Sequence, residues 1–471
     1  MAIEKKDIVL IHPNHREWAG VLPLGIAYLA AVLKNSGFSL GVIDAQALNL
    51  STEEVSKKAL GYSPKIVGIS CSTVQVKAAW EIAQKIKEVS PKIFIVLGGV
   101  HPTALPEESL EKETVDFVLR AEAEYSFLEL VEALLNKKDI THIEGLSYKR
   151  EGAIQHNPKK NLILDLDLLP FPARELFPFP YAYRSPYTQS RYFATLLSSR
   201  GCPGGCIFCN KNIFGFKFRR RSPENVLDEI DYLYKEFNIS EFHFADDCFS
   251  LDRLRVERIC DLIIHKKLKI RWACSNGIRV DTIDYELLRK MREAGCYRIA
   301  LGVESGSERI LQAIGKATSR EKISQAFKDC RRAGIITVGF FMLGNYGEDE
   351  ETMLETIRFA KALNPDYAQF AIAVPYPGTT YYDIIKKEGR FISQDWSDYG
   401  IFDHQVVFEI GRLSPELLLR MYRRAYQEFY LDPLRILRII KQRLPGLKLE
   451  TIKQMWAAFI EVTKRMRVGK R

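Results

Sequence analysis

Nine cysteines stand in the 471-residue chain, and three of them, Cys202, Cys206 and Cys209, crowd into the stretch SSRGCPGGCIFCNK. Three thiolates in one short loop suit an iron–sulfur cluster. Pro203, Gly204 and Gly205 let such a loop fold round a bulky guest without Cβ clashes. Three ligands also leave one iron of a four-iron cluster open to a substrate. A structural zinc wants four ligands, and no fourth Cys or His stands at zinc-like spacing. A zinc completed by a distant donor, or an inert cysteine-rich loop, are the competing readings. Cys71, Cys248, Cys260, Cys274, Cys296 and Cys330 are scattered, and read as small buried side chains rather than ligands. An odd cysteine count in a chain whose default place is the cytoplasm argues against a disulfide framework.

The elements that position the cysteines form a βα series. Strands are expected at Phe193–Leu197, Phe242–Phe244, Arg271–Ser275, Arg298–Val303, Thr337–Met342 and Tyr367–Ala373. Helical patterns follow at Pro223–Phe237, Asp252–His265, Ile283–Ala294, Arg320–Ala333 and Glu350–Leu363. Six units fit a partial TIM-type (β/α)6 barrel, whose chemistry sits in loops at the carboxyl ends of its strands. The cysteines follow its first strand. Asp246 and Asp247 end the second, Asn276 and Arg279 follow the third, and Glu304 ends the fourth. For the two aspartates the plain alternative is a pair of solvated acids at a helix start; for Glu304 it is a structural salt bridge.

The first part of the chain makes a second α/β unit. Apolar runs at Ile8–Ile11, Leu40–Ile43, Ile66–Ser70, Ile93–Leu97 and Phe117–Leu119 alternate with helical patterns at Leu24–Asn35, Val76–Val89 and Tyr125–Leu135. Continuous apolar strands between helices predict a Rossmann-like, doubly wound parallel sheet buried on both faces. Its ligand would bind outside the carboxyl edge, where Ser70, Ser72, Thr73, Gly98 and Gly99 fall. The dinucleotide fingerprint G-x-G-x-x-G is missing after the first strand. The expected organisation is a doubly wound unit over 1–137, a proline-punctuated connector over 138–190, the barrel over 191–400, and a helical basic region over 401–471.

These motifs resemble the radical S-adenosylmethionine (SAM) superfamily. CxxxCxxC with an aromatic before the last cysteine is its cluster cradle, and a partial six-unit barrel is its fold. The resemblance implies a [4Fe-4S] cluster on Cys202, Cys206 and Cys209 whose open iron chelates SAM. One electron, from a reductant such as flavodoxin or ferredoxin, then cleaves SAM to a 5′-deoxyadenosyl radical. It further implies SAM contacts at Phe208, Asp246, Asp247, Asn276, Arg279 and Glu304, with Leu343, Gly344, Val374 and Tyr376 forming an adenine wall. The stretch VLPLGIAYLAAVLKNSGF, the Ser/Thr loop and Gly98-Gly99 resemble the members with an N-terminal cobalamin domain. On that resemblance Ser70, Ser72 and Thr73 contact the nucleotide tail, Gly98 and Gly99 let it lie against the sheet, and Leu22, Pro23 and Leu24 approach the corrin.

Two departures matter. Domains that supply a lower axial histidine carry Asp-x-His-x-x-Gly after the first strand. Here the loop is HPNHREWAG, so cobalamin is expected without a histidine ligand, and His12 and His15 as polar loop residues. The stretch LRAEAEYSF stands where many relatives have Gly-Glu-Gly-Glu, placing Ala121 and Ala123 at glycine positions. The implied activity is C-methylation of an unactivated carbon through methylcobalamin. The alternatives are a cyclase or rearrangement enzyme with the same cofactors, as in anaerobic ring formation on Mg-protoporphyrin monomethyl ester, and a non-catalytic iron–sulfur sensor or binding module.

The net charge of +9 belongs mostly to the tail, where Leu431–Arg471 holds eleven Lys/Arg against three Asp/Glu. Leu434, Leu437 and Ile440 stand at helical spacing, so a helix packed on the barrel with a solvated basic face is the plain expectation. Contact with anionic membrane and a lipid-like substrate is the sharper one. Nucleic acid is disfavoured because no stacking platform accompanies the charge. No signal peptide or membrane span is expected.

Overall fold

The computed structural model describes residues 4–15, 20–185, 187–401 and 405–432. Leu434, Leu437 and Ile440 lie outside the described residues, as does most of the basic tail. Among the described residues, no helix is long and apolar enough to cross a membrane.

The front sheet holds β1 (Ile8–His12), β2 (Leu40–Asp44), β3 (Ile66–Ser70), β4 (Phe94–Gly98), β5 (Phe117–Leu119), β6 (Leu146–Arg150) and β7 (Ala153–His156), in spatial order β2-β1-β3-β4-β5-β6-β7. The first five run parallel and the last two antiparallel. Ile8, Val9, Ile66, Val67, Ile95 and Leu97 have no exposed surface, because helices cover both faces. The helices Leu24–Asn35 and Val76–Val89 match their sequence expectation residue for residue, whereas Thr52–Gly61 was not foreseen. The sheet continues past residue 137, since the hairpin of β6 and β7 adds to β5. Part of the proline-rich connector therefore belongs to the front sheet.

The second sheet has six parallel strands in sequential order: β8 (Ala194–Leu196), β9 (Glu241–Phe244), β10 (Arg271–Ile278), β11 (Cys296–Glu304), β12 (Ile336–Leu343) and β13 (Tyr367–Ile372). Six strands leave the barrel with two free edges, and unpaired strand edges are a liability. At the β13 edge the helix Pro415–Tyr430 supplies hydroxyls. The Tyr430 hydroxyl accepts from the Ala368 amide at 3.0 Å and donates to the Ala368 carbonyl at 2.8 Å, and the Tyr426 hydroxyl accepts from the Phe370 amide at 3.2 Å. At the β8 edge, connector residue Arg174 donates to the Thr195 carbonyl at 2.7 Å and pairs with fully buried Glu229 at 2.7 Å. Closing both edges fixes the carboxyl ends of the strands as one mouth.

Candidate functional site

The cluster loop is held by glycines and charge. Gly201 sits at φ +81°, and a Cβ there would overlap the Lys217 carbonyl oxygen. Gly315 is at φ +70°, and a Cβ there would overlap the Gly205 carbonyl oxygen, so the loop seats on the turn that carries Lys316. A Cβ on Gly204 would stand 3.4 Å from Cys202 Sγ, 4.0 Å from Cys206 Sγ and 3.2 Å from Arg279 Nη1. That space among the thiols must stay open, as a multi-iron cluster requires.

The surroundings act in opposite directions on the three thiols. A hydrogen bond from the Cys248 thiol, the Gly204 amide and the charges of Lys211 and Arg279 bring the Cys202 thiol down to about 5. Burial pushes Cys206 and Cys209 up, with Lys316 and Lys211 respectively pulling against it. All six scattered cysteines are buried as expected, but Cys248 is no idle filler, since it touches the first cluster cysteine.

The remaining residues of the mouth divide into two groups. Asp247 lines the cavity and accepts from the Gly201 amide at 3.1 Å. Phe208, Asn276 and Arg279 line it too, and Arg279 grips Asp281 through two hydrogen bonds of 3.0 and 2.6 Å. Glu304 ends β11 at φ +66°, a left-handed conformation rare outside glycine, and pairs with Lys316 at 3.0 Å inside the cavity. Burial lowers the Lys316 pKa, but Glu304 and Cys206 outweigh it and keep the ammonium charged. The salt-bridge alternative for Glu304 is thus realised, and its partner was not foreseen.

Asp246, Leu343, Gly344, Val374 and Tyr376 are not among the residues lining the cavity. Asp246 is 2% exposed and accepts from the Ser198 amide at 2.6 Å, the Ser199 amide at 3.2 Å and the Ser198 hydroxyl. It ties the approach to the cysteines onto the neighbouring strand end. Leu343 is fully buried, and a Cβ on Gly344 would lie 3.1 Å from Leu418 of the C-terminal helix. Tyr376 donates its hydroxyl to the Tyr399 carbonyl at 2.6 Å. Leu418 and Phe408 thus flank Gly344, and Tyr399 holds Tyr376, on this side of the rim.

Across the cavity lies the carboxyl edge of the front sheet. Leu24, Ser70, Gly98 and Gly99 line the space, with Gly25, Gly68 and Val100 beside them. Gly99 is at φ +97°, and a Cβ would come within 2.5 Å of the Cys71 carbonyl oxygen. Gly25 has nothing within 4 Å of its Cβ position. Leu22, Pro23, Ser72 and Thr73 stand outside the lining. Leu22 and Thr73 are buried, Pro23 opens the helix Leu24–Asn35, and the Ser72 amide and hydroxyl donate to Gln75 at 3.0 and 2.8 Å. His12 bonds Asp44 through Nδ1 and Gln75 through Nε2, both at 3.0 Å, and neither His12 nor His15 lines the cavity.

One buried ion network joins the halves. Glu122 of the front domain pairs with Arg200 at 2.9 Å and with Arg219 at 2.8 Å, and Glu124 takes Arg200 at 2.6 Å. Arg200 lies over the rings of Tyr28 and Phe214 at 5.1 and 5.0 Å. Two residues later comes Cys202. The front domain therefore grips the chain that presents the cluster ligands. The cavity between the two strand edges measures about 890 Å³.

Residues 196–360 match the Radical SAM superfamily model and residues 20–131 the B12 binding domain model. An uncharacterized methyltransferase of Pyrococcus horikoshii is 34% identical over 90% of this chain and 93% of its own. The anaerobic magnesium-protoporphyrin IX monomethyl ester cyclase of Rubrivivax gelatinosus is 30% identical over 79% of this chain and 68% of its own. The solved radical SAM methyltransferase TsrM of Kitasatospora setae, with cobalamin and a [4Fe-4S] cluster bound, shares the fold with a TM-score of 0.70 at 17% identity, over 91% of this chain and 90% of that one. The chain belongs to the radical SAM enzymes that carry an N-terminal B12-binding domain.

Proposed function

We propose that this enzyme is a cobalamin-dependent radical SAM methyltransferase acting at an unactivated carbon of a small molecule. The observation that carries the reading is the single cavity between two strand edges, with cysteines on one wall and a bare glycine edge on the other. When bound, the cluster with SAM supplies a hydrogen-abstracting radical and cobalamin supplies the methyl carrier.

The chain's own residues hold and orient. Cys202, Cys206 and Cys209 are the cluster ligands, and Gly204 leaves room between them. Asp247 offers a carboxylate to the SAM ammonium, Lys316 an ammonium to its carboxylate, and Glu304 an acceptor for ribose hydroxyls. Asn276, Arg279 and Phe208 complete that half. Asp246 is a positioning residue, holding Ser198 and Ser199 so that the cysteine loop starts from a fixed point. Leu24, Gly25, Ser70, Gly98 and Gly99 receive the corrin. His12, engaged at both ring nitrogens, would not serve as a ligand to cobalamin.

The relative in Rubrivivax gelatinosus favours a second reading, cyclisation with the same cofactors and no methyl transfer. Anaerobic incubation with SAM labelled on its methyl carbon separates them. The methyltransferase reading expects label on the isolated corrinoid and a product heavier by one methylene. Formation of 5′-deoxyadenosine with an unlabelled corrinoid and product would sink it.

A further inference from the structure

Four cations line the cavity, and all but one are answered by a carboxylate. Lys316 pairs with Glu304 at 3.0 Å, Arg279 with Asp281 at 2.6 Å, and Arg200 with Glu122 and Glu124 at 2.9 and 2.6 Å. The fourth is Lys211, two residues after Cys209. Its Nζ donates to the Cys202 carbonyl at 3.3 Å, and it makes no ion pair among the described residues. Asp247, the remaining carboxylate of the lining, accepts from the Gly201 amide instead.

The fold fixes this lysine from both sides. Asn210 Nδ2 donates to the Pro377 carbonyl at 3.0 Å and Asn212 Nδ2 to the Gly378 carbonyl at 3.2 Å, so its neighbours are tied to the turn after β13. The Lys211 carbonyl accepts from the Gly215 amide at 2.8 Å. The half-buried side chain then reaches back across the loop, from beyond the last cluster cysteine to the carbonyl of the first. Its positive field favours the thiolate at Cys202, Cys206 and Cys209 alike.

We propose that Lys211 sets the reduction potential of the cluster, raising it so that the cluster accepts its electron more readily. Three thiolates outweigh the positive charge of a four-iron core, so the oxidised cluster is already anionic and an added electron makes it more so. A fixed cation beside it stabilises the more negative state by the larger amount. Lys316, Arg279 and Arg200 do less, because the carboxylate paired with each cancels much of its field. No bond forms or breaks at Lys211 and no proton moves: the external reductant loses one electron and the cluster gains it. This inference rests on the reading of Cys202, Cys206 and Cys209 as cluster ligands.

The test is a redox titration of the reconstituted full-length protein without SAM, using titanium(III) citrate and following the reduced cluster by electron paramagnetic resonance. K211Q keeps a donor without the charge, and K211M keeps neither. Each should lower the ratio of reduced to oxidised cluster at a fixed potential about ten-fold, equal to about 59 mV for one electron. K211R keeps the charge and should stay within about two-fold of wild type. Unchanged potentials in K211Q and K211M overturn the proposal. So does a shift in K211M that K211Q does not share, which would assign the effect to the hydrogen bond on Cys202. Poor iron retention in both neutral variants, with a wild-type potential in the clusters that remain, would mark Lys211 as a staple of the loop and overturns it too. A wild-type protein with no four-iron signal on reduction would instead refute the cluster reading itself.

Discussion

The two walls of the cavity are built on opposite plans. The barrel wall presents charged side chains, each fixed by a partner: Glu304 by Lys316, Arg279 by Asp281, Asp247 by the Gly201 amide. The front wall presents glycines and a serine along its strand edge, Gly25, Gly68, Gly98, Gly99 and Ser70, among apolar side chains such as Leu24, Leu29 and Val100. The first plan suits a small charged ligand and a cluster that must be seized at a few atoms. The second suits a broad rigid ring that rests on backbone and shape. The barrel wall should therefore fail when a side chain is removed, and the front wall when one is added.

The sharpest break is on the barrel side. C202A removes a cluster ligand and should reduce reconstituted iron, the cluster absorption and 5′-deoxyadenosine to background, while corrinoid still binds. Retained cluster and turnover would contradict the ligand assignment. Next is the joint between the walls. E122Q strips the carboxylate from two buried guanidiniums, Arg200 and Arg219, and a broken buried pair costs about 3–5 kcal/mol. A denaturant titration should show that loss, accompanied by poorer cluster retention although no cysteine has changed. On the front wall, G99V places a Cβ on a φ of +97° within 2.5 Å of the Cys71 carbonyl oxygen. It should cost about 1–3 kcal/mol in backbone strain and abolish tight corrinoid binding, with iron content unchanged. Equal loss of iron and corrinoid would erase the contrast between the walls.

The smallest effect concerns Ala121, which sits at φ +61° and holds its amide on the Thr103 hydroxyl at 3.0 Å. Glycine is the residue this conformation favours. A121G should relieve the strain and stabilise the protein by up to about 1 kcal/mol, less what the freer unfolded chain gives back. A thermal melt unchanged or lowered would show that the loop carries no strain there.

What the sequence discloses follows from how local each feature is. Continuous apolar strands and cysteines spaced within one loop are local, and β3, β5 and the helices Leu24–Asn35, Val76–Val89, Pro223–Phe237 and Glu350–Leu363 lie where patterning puts them. Lys316, Cys248 and the Glu122–Arg200 pair are not visible in that way. The last joins residues 78 apart, and only the docking of two folded units brings them together. The residues expected to form the adenine wall are set back from the cavity for a related reason. Leu343 and Gly344 do end a strand at the mouth, but Leu418, far along the chain, packs over them. The acids behave likewise: Asp246 and Asp247 look interchangeable in FADDCF, yet one is 2% exposed beneath the serines and the other faces the cavity.

The central claim is that one cavity brings the cluster and the corrin face to face. Electron paramagnetic resonance of the anaerobic protein, loaded with reduced cluster and with cobalamin in its paramagnetic Co(II) state, tests it most directly. The account predicts mutual broadening or splitting of the two signals when both are present, absent when either is omitted, and no nitrogen splitting from a histidine on cobalt. A spectrum equal to the sum of the two separate signals would contradict it.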